Sequence, residues 1–252
     1  MPESRGNSLG ILARIRIASA LLLMGSRAHN TPARSPAGPR SINCVGARRF
    51  AIDRSCRLWD TGRTDVSFTI RALHRTRDRR GVEAIDTGFE TDVVFDLVTG
   101  ARDLALVERR LEQPITKRYS IGEVFAPWAR WDRGWVAEAP ADPDADAGGP
   151  VIRGFATTEY EAWHGRLVLW FLYIAPDWRR RGVGRALLAE VEAHGCSVGA
   201  THVWLETSNV NVPGVAAYER LGYSLCGADR LYYGDYMPGE TALYLAKSLG
   251  QP

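Results

Sequence analysis

The sequence predicts an α/β fold with a mixed, partly antiparallel sheet. Short segments of alternating or continuous apolar residues, which are typical of strands, recur from residue 67 onward. Two segments between residues 182 and 221 instead repeat their apolar residues with the period of an amphipathic helix. A run of strands followed by helix, strand, helix and strand favours helices packed on a mixed sheet.

The first predicted elements are a strand and a short helix. SFTIRAL, which begins at Ser67, has the residues of a strand. RTRDRRGVEAIDTGF is predicted as a helix because its apolar positions Val82, Ile85 and Phe89 have helical spacing. These two elements begin the globular part of the chain.

Four strands are predicted next. DLALVERRL and GWVAEAP lie on either side of a segment with Pro114 and Pro127, which we expect to form a loop. VIRGFATTEYEAW and RLVLWFLYIAP follow, and the acidic, Gly- and Pro-punctuated ADPDADAGGP is expected to be a hairpin connection. Leu167–Ala175 is continuously apolar and too short to span a membrane, so we expect a strand covered on both faces that ends at Pro176.

The C-terminal part is predicted to alternate helices and strands. A helix from Gly182 carries Val183, Leu187 and Val191 on one stripe and is expected to end at Gly195. The next segment, THVWLETS, returns to the alternation of a strand.

The second helix has recognisable end signals. Asn211 lies near its N-cap, Pro213 in its first turn, and Gly222 follows Leu221 as a left-handed C-cap. Two closing strands are predicted, around residues 223–226 and 241–247.

Residues 1–65 are expected to form an N-terminal extension separate from the domain at 66–252. The extension holds eleven arginines and four acidic residues, whereas the rest of the chain carries a net charge of −4. Its apolar run from Ile17 to Gly25 is too short to span a bilayer. A disordered or over-called start and a targeting segment remain open alternatives.

The cysteines and histidines predict neither a disulfide framework nor a metal site. Cys44, Cys56, Cys196 and Cys226 form no CxxC pair, and no histidine falls at metal-ligand spacing with them. A reduced cytoplasm fits this pattern best.

The segment PDWRRRGVGRALL, residues 176–188, predicts an anion site. A Gly-rich turn at the start of a helix exposes unpaired N–H groups where the helix dipole is positive, and this favours a phosphate. Gly182 and Gly184 allow close approach of the anion, and the arginines at 179–181 add charge. The segment has neither the Walker pattern nor the Rossmann GxGxxG. An ordinary turn with solvated arginines is the alternative.

These segments resemble the GNAT superfamily of N-acetyltransferases. YIAPDWRRRGVGRALL is similar to its motif A, and LETSNVNVPGVAAYERLGY to its strand, Asn-containing turn and Tyr-bearing helix. AIDTGFETDVVF, PITKRY, YEAW and GETALYL are similar to the streptothricin (nourseothricin) acetyltransferases. The resemblance covers Phe68 to Lys247, so it implies an acetyltransferase domain at 66–252. It also implies a mostly antiparallel twisted sheet, splayed at the cofactor strand and flanked by helices.

The resemblance implies acetyl-CoA as cosubstrate, with no metal. The RxxGxG amides are expected to hold its diphosphate, the end of the cofactor strand its pantetheine arm, and an asparagine to orient that arm. The cofactor residues implied in this way are Ile174, Arg179, Arg180, Arg181, Gly182, Val183, Gly184, Arg185 and Asn211.

Two residues are candidates for proton transfer. Tyr218 occupies the position of the family's general acid, and Glu206 at the end of its strand is the candidate base. Tyr218 also falls on the apolar stripe of its helix with Val215 and Leu221, so a core tyrosine is the alternative. A solvent-facing strand residue is the alternative for Glu206.

A cationic acceptor predicts an acidic and aromatic pocket. The candidate substrate-binding residues are Asp86, Asp92, Tyr160, Trp163, Asp229 and Glu240. Caps, solvated faces and core aromatics are the alternatives for each of them. One departure stands out: where the streptothricin acetyltransferases typically have a Glu-Asp pair, this chain has Trp170 and Phe171.

The resemblance implies N-acetylation of a primary amine on a cationic small molecule, such as a streptothricin-type antibiotic, as a means of resistance. A GNAT enzyme acting on another small-molecule or peptide amine is an alternative, and a non-catalytic acyl-CoA binding relative is another. Neither nucleic acid nor membrane is an expected partner, because the basic excess lies in a segment without aromatic interleaving or a recognisable motif. A homodimer is compatible with the sequence.

Overall fold

A computed structural model describes residues 67–140 and 150–250. Within these ranges the chain forms nine strands and three α-helices. The strands are β1 (Thr69–Ala72), β2 (Phe89–Thr99), β3 (Leu104–Lys117), β4 (Arg133–Ala139), β5 (Val151–Glu161), β6 (Arg166–Ile174), β7 (His202–Ser208), β8 (Ser224–Asp229) and β9 (Ala242–Ser248). The α-helices are α1 (Arg79–Glu83), α2 (Val183–Val198) and α3 (Val212–Arg220).

Seven of these strands form one sheet with the order β1-β4-β5-β6-β7-β9-β8. Every neighbouring pair is antiparallel except β6 and β7, which are parallel. The helix α2 makes the crossover between these two parallel strands. Strands β2 and β3 form a separate antiparallel hairpin. The prediction of a mixed, mostly antiparallel sheet flanked by helices is confirmed.

The two central strands separate halfway along their length. Residues 166–169 of β6 pair with residues 202–205 of β7, and no register continues beyond Leu169 and Leu205. The register between β5 and β6 also shifts here, because Thr157 lies opposite Phe171 whereas Thr158 lies opposite Leu169. Trp170 is the extra residue of this bulge, and such a bulge bends its strand. The sheet therefore opens into a wedge toward Ile174.

The sheet is covered on both faces. One cluster of buried residues joins it to α2 and α3 through side chains such as Leu187, Val191 and Val215. A second cluster, with Val82 of α1 and Phe155 of β5, covers the other face. Because helices or turns pack on both sides, the apolar residues of β6 are shielded as the sequence predicts.

Three local predictions are wrong. Phe89 does not extend the first helix but begins β2, where it pairs with Lys117 of β3. Pro114 lies inside β3 rather than in a loop, at the register shift of the hairpin, where a proline needs no ladder hydrogen bond. Gly195 lies within α2, which ends at Gly199; a side chain at position 195 would collide with Leu249.

Some predictions fall outside the described residues. The extension at 1–65 and the acidic connection at 141–149 belong to this group. Within the part of the chain that is described, no helix is long and apolar enough to cross a bilayer.

The β2–β3 hairpin is attached to the main sheet through the buried residue Asn209. Its Nδ2 donates to the Phe95 carbonyl at 2.7 Å, and its own carbonyl accepts from the Phe95 N–H at 3.0 Å. Its Oδ1 accepts from the Thr241 N–H at 2.8 Å, next to β9. One side chain thus satisfies two buried backbone groups from distant parts of the chain.

We expect Asn209→Ala to lower the free energy of unfolding by about 2 to 4 kcal/mol, because it leaves two buried backbone groups without partners. Urea unfolding followed by circular dichroism measures the change. Ser224→Ala, at an exposed position of β8, is the control and should stay within about 0.5 kcal/mol of the unsubstituted protein. Equal stability of the two variants would contradict this role of Asn209.

Candidate active site

The segment between β6 and α2 is anchored by a buried tryptophan. Pro176 ends β6 and starts a single 3-10 turn that places Trp178 in the core. The guanidinium groups of Arg153 and Arg181 lie 5.5 Å and 5.4 Å from the centroid of its ring, within the range of cation–π contact. The backbone that follows Trp178 is therefore held in place while its side chains reach the surface.

The backbone then turns sharply into α2. Arg180 has a φ of 60° and Gly182 a φ of 86°, so both adopt the left-handed conformation. The Gly182 carbonyl accepts the first helical bond, from the Ala186 N–H at 3.0 Å. Within residues 67–140 and 150–250, the N–H groups of residues 180–185 donate to no backbone or side-chain acceptor. This turn is a cluster of open donors at a helix N-terminus, which suits an anion.

The predicted cofactor residues at the end of β6 lie next to this turn. The Arg179 Nε donates to the Ile174 carbonyl at 3.1 Å. A side chain at Gly184 would meet the Ile174 side chain at no closer than 3.7 Å, so space is open on this side of α2. Val183 is buried, whereas Arg180, Arg181 and Arg185 are exposed around the turn. The cofactor candidates at 174 and 179–185 are therefore contiguous, with the Val183 side chain buried among them.

Asn211 has a structural role of its own. Its Oδ1 accepts from the Gly214 N–H at 3.2 Å as the N-cap of α3, and its Nδ2 donates to the Thr207 hydroxyl at 2.9 Å. These bonds fix the turn between β7 and α3. Contact of Asn211 with a bound arm stays a prediction.

Glu206 faces a largely dehydrated environment. Burial raises the pKa of its carboxyl, a hydrogen bond from the Tyr233 hydroxyl lowers it, and the neighbouring Glu240 raises it again. Together these effects raise the pKa to about 7. A carboxylate with a pKa near neutrality is half ionised at physiological pH and can accept a proton from an amine. Glu206 lies near the end of β7, as predicted. It is half-buried, which disfavours the alternative of a solvent-facing strand residue.

Tyr218 lies close to Glu206. Burial raises the pKa of its hydroxyl, and the Glu206 carboxyl raises it further, so the tyrosine stays protonated at neutral pH. Its ring packs against the core cluster and against Tyr223, with ring centroids 5.7 Å apart. Packing fixes the ring and leaves a protonated hydroxyl beside the opening between β6 and β7.

Two tyrosines that the sequence did not single out complete the opening. Tyr173 packs against Phe155 at 5.8 Å and against Tyr119 at 6.4 Å between ring centroids. Burial raises the pKa of both hydroxyls, and Glu206 contributes to each shift. The position of Tyr173, one residue before the end of β6, is the sequence signal that could have identified it.

The candidate acidic residues divide into three groups. Asp229 and Glu240 lie at the ends of β8 and β9, where Asp229 and Ser208 both pair with Ala242, and Glu240 is the one of the two whose charge acts on Glu206. Glu240 accepts from the Ser208 hydroxyl at 2.5 Å and pairs with Lys117.

Asp86 lies near the cofactor turn, where its charge acts on Arg179, and it also pairs with Arg118 at 2.5 Å. Asp92 pairs with Arg110 at 2.7 Å on the hairpin, and no contact connects it to Glu206. The predicted acids therefore lie on separate parts of the fold, and three of them have basic partners within the chain.

Tyr160 and Trp163 lie at the opposite end of β6 from the cofactor candidates, and their contact with an acceptor stays a prediction. Tyr160 pairs with Leu167 near the start of β6, whereas Ile174 at the other end of that strand pairs with Gly154. Six residues of strand separate the two levels by about 20 Å. Trp163 lies beyond Tyr160 in an exposed turn at that far end, because β5 and β6 are joined there.

Trp170 and Phe171 pack into the second core cluster. The Trp170 Nε1 donates to Glu159 at 3.0 Å, and Glu159 in turn pairs with Arg130 at 2.9 Å. Both rings thus contribute to the structure of the bulge on β6.

Comparison with known proteins agrees with this geometry. The acetyltransferase (GNAT) family matches residues 107–223. Streptothricin acetyltransferase from Streptomyces lavendulae is 34% identical over 178 residues, which cover 68% of this chain and 90% of that protein.

Solved structures show the same architecture. The crystal structure of nourseothricin acetyltransferase has a TM-score of 0.61 at 33% identity, covering 72% of this chain and 98% of that chain. A protein from Bacillus anthracis str. Ames, solved in complex with acetyl coenzyme A, has a TM-score of 0.58 at 21% identity, with the same coverage. The chain therefore belongs to the GNAT family and is an acetyl-CoA-dependent N-acetyltransferase.

Proposed function

We propose that this enzyme acetylates a primary amine of a streptothricin-type antibiotic and thereby inactivates it. The observation that carries the proposal is the placement of Glu206 and Tyr218 together at the opening between β6 and β7, beside the turn of open amides. The similarity to streptothricin acetyltransferase supports the choice of acceptor. In this proposal the domain at 66–252 carries out the reaction in the cytoplasm.

A less highly charged primary amine is the second candidate acceptor. Asp86, Asp92 and Glu240 each have a basic partner, so they offer less unneutralised charge to a polycation. Trp170 and Phe171 stand where the resemblance to the streptothricin acetyltransferases implies an acidic pair. The paired acids favour an acceptor with fewer positive charges.

The open turn fits the anionic end of acetyl-CoA. The N–H groups of residues 180–185 would hold its diphosphate, with Arg180, Arg181 and Arg185 supplying positive charge around it. The unpaired edge of β6 beyond Leu169 offers N–H and C=O groups to an amide-bearing arm. When bound, acetyl-CoA supplies an activated acyl carbon to which the acceptor nitrogen can bond as the thiolate leaves.

Glu206 and Tyr218 divide the two proton transfers. The acceptor amine attacks only after it loses its ammonium proton, and the Glu206 carboxylate accepts that proton directly or through water. The Tyr218 hydroxyl, which stays protonated at neutral pH, donates a proton to the leaving thiolate. Neither transfer needs a covalent bond to the protein.

We expect the purified protein to add one acetyl group to streptothricin, as measured by mass spectrometry after incubation with acetyl-CoA. Tyr218→Phe should slow thiol release about 100-fold or more and leave CoA affinity unchanged, because only the donated proton is lost. The comparison acceptor is an aryl amine that carries no charged group besides the amine itself. Preference for that amine would assign the enzyme to the second candidate, and thiol release at the original rate in Tyr218→Phe would refute the role of Tyr218.

We expect Gly184→Glu to weaken CoA binding by at least about tenfold, because a carboxylate in the first turn of α2 would repel the diphosphate. The same carboxylate favours the helix N-terminus, so the fold should not be destabilised. Isothermal titration calorimetry measures the affinity. Gly184→Gln is the control for bulk, and equal affinities of the Glu and Gln variants would exclude a nearby diphosphate.

We expect Glu206→Gln to be inactive. Its stability, compared with that of the unsubstituted protein, should increase as the pH rises. The folded state raises the pKa of Glu206 from 4.5 to about 7, so ionisation of this buried carboxyl costs stability progressively between these pH values. Relative to the unsubstituted protein, Glu206→Gln should gain about 2 kcal/mol between pH 5 and pH 8. Urea unfolding at both pH values tests this, with Glu219→Gln on the exposed side of α3 as the control.

A further inference from the structure

The connection between β8 and β9 places a second tyrosine hydroxyl on the candidate base. Tyr233 lies in this connection, and its ring is 9% exposed. Its hydroxyl donates a hydrogen bond to the Oε1 atom of Glu206. Residues 233 and 206 come from different elements, so this bond depends on the tertiary fold.

Neighbouring rings hold Tyr233 in place. Its ring packs edge-to-face against Tyr232, with centroids 5.2 Å apart. Tyr232 in turn packs edge-to-face against Tyr244 of β9 at 6.0 Å. The 3-10 turn of Gly234–Tyr236 follows directly and closes with a bond from the Tyr236 N–H to the Tyr233 carbonyl at 3.0 Å. A hydroxyl fixed in this way can also fix the orientation of its acceptor.

The titratable groups around Glu206 come from several elements. One is acidic: Glu240, before β9, which is paired with Lys117 of β3. The others are tyrosines whose hydroxyls interact with the Glu206 charge, namely Tyr119, Tyr173, Tyr218, Tyr232, Tyr233 and Tyr244. Within the described residues, Tyr233 is the one member of this set whose side chain donates a hydrogen bond to Glu206.

We propose that Tyr233 is a positioning residue that orients the Glu206 carboxylate and holds it in the ionised form that accepts the proton of the amine. The proposal rests on the role of Glu206 as base. A neutral O–H donor stabilises a carboxylate more than a carboxylic acid, so the bond favours the form that catalysis requires. It occupies Oε1 and leaves Oε2 to receive the proton.

The bond opposes two effects that favour the protonated acid. Burial and the neighbouring Glu240 both raise the pKa of Glu206, and the Tyr233 hydroxyl lowers it. The enzyme can thus keep its base in a site from which water is largely excluded and still use it near neutral pH. Loss of the Tyr233 hydroxyl should raise the pKa of Glu206 above this range.

The test is the pH dependence of kcat/KM, which reports the ionisation of the free enzyme. For Tyr233→Phe we expect the acid limb to move upward by about one pH unit, with about a tenfold loss of kcat/KM at pH 6 and recovery near pH 9. Tyr232→Phe, the adjacent tyrosine without a bond to Glu206, is the matched control and should keep the original limb. The titration of the substrate amine is common to all three proteins, so a difference between them belongs to the enzyme.

A second measurement does not depend on activity. The Glu206 carboxyl can be titrated by NMR in protein labelled with ¹³C at glutamate side chains, with Glu206→Gln identifying the signal. The midpoint should rise in Tyr233→Phe and stay unchanged in Tyr232→Phe. An unchanged midpoint in Tyr233→Phe, or the same rise in both variants, overturns the proposal. A raised midpoint in a protein that acetylates no amine would support the bond and refute the proposed function instead.

Discussion

The separation of β6 from β7 is the constraint on which the rest of the site depends. Parallel pairing ends at Leu169 and Leu205, and the bulge at Trp170 bends β6 away. The strand edge beyond this point keeps backbone groups that no neighbouring strand satisfies, so a ligand with amides of its own can pair with them. The same opening lets the side chains of Glu206 and Tyr218 approach one space from β7 and α3.

Burial raises the pKa of both Glu206 and Tyr218, and this has opposite consequences for the two groups. Exclusion of water raises the pKa of a carboxyl, which moves Glu206 toward the range of a useful base. It also raises the pKa of a phenol, which keeps Tyr218 protonated and able to donate. A single physical effect thus suits both groups to the proton transfers proposed for them, and the stability that it costs is offset elsewhere, for instance by the bonds of Asn209.

The sequence predicted the fold where periodicity and turn chemistry agree. The strands that contain Glu206 and Ile174, and the helix that begins after Gly182, lie where alternation and glycine signals placed them. It failed where distant packing decides. Gly195 is a glycine because Leu249 packs against it from a distant part of the chain, and not because the helix ends there. The apolar spacing that suggested a helix as far as Phe89 gives way to a strand because Phe89 pairs with β3.

The candidate site divides in the same way. The cofactor candidates lie on one turn, so a short motif could predict them, whereas the groups around Glu206 come from several separate elements. Because Trp170 and Phe171 pack into the core, the β6 side of the opening offers rings and backbone rather than charge. The acidic group near Glu206 is instead Glu240, which lies just before β9. Under the proposed function, discrimination between acceptor amines falls to that side, where the Tyr233 hydroxyl also donates a hydrogen bond to Glu206.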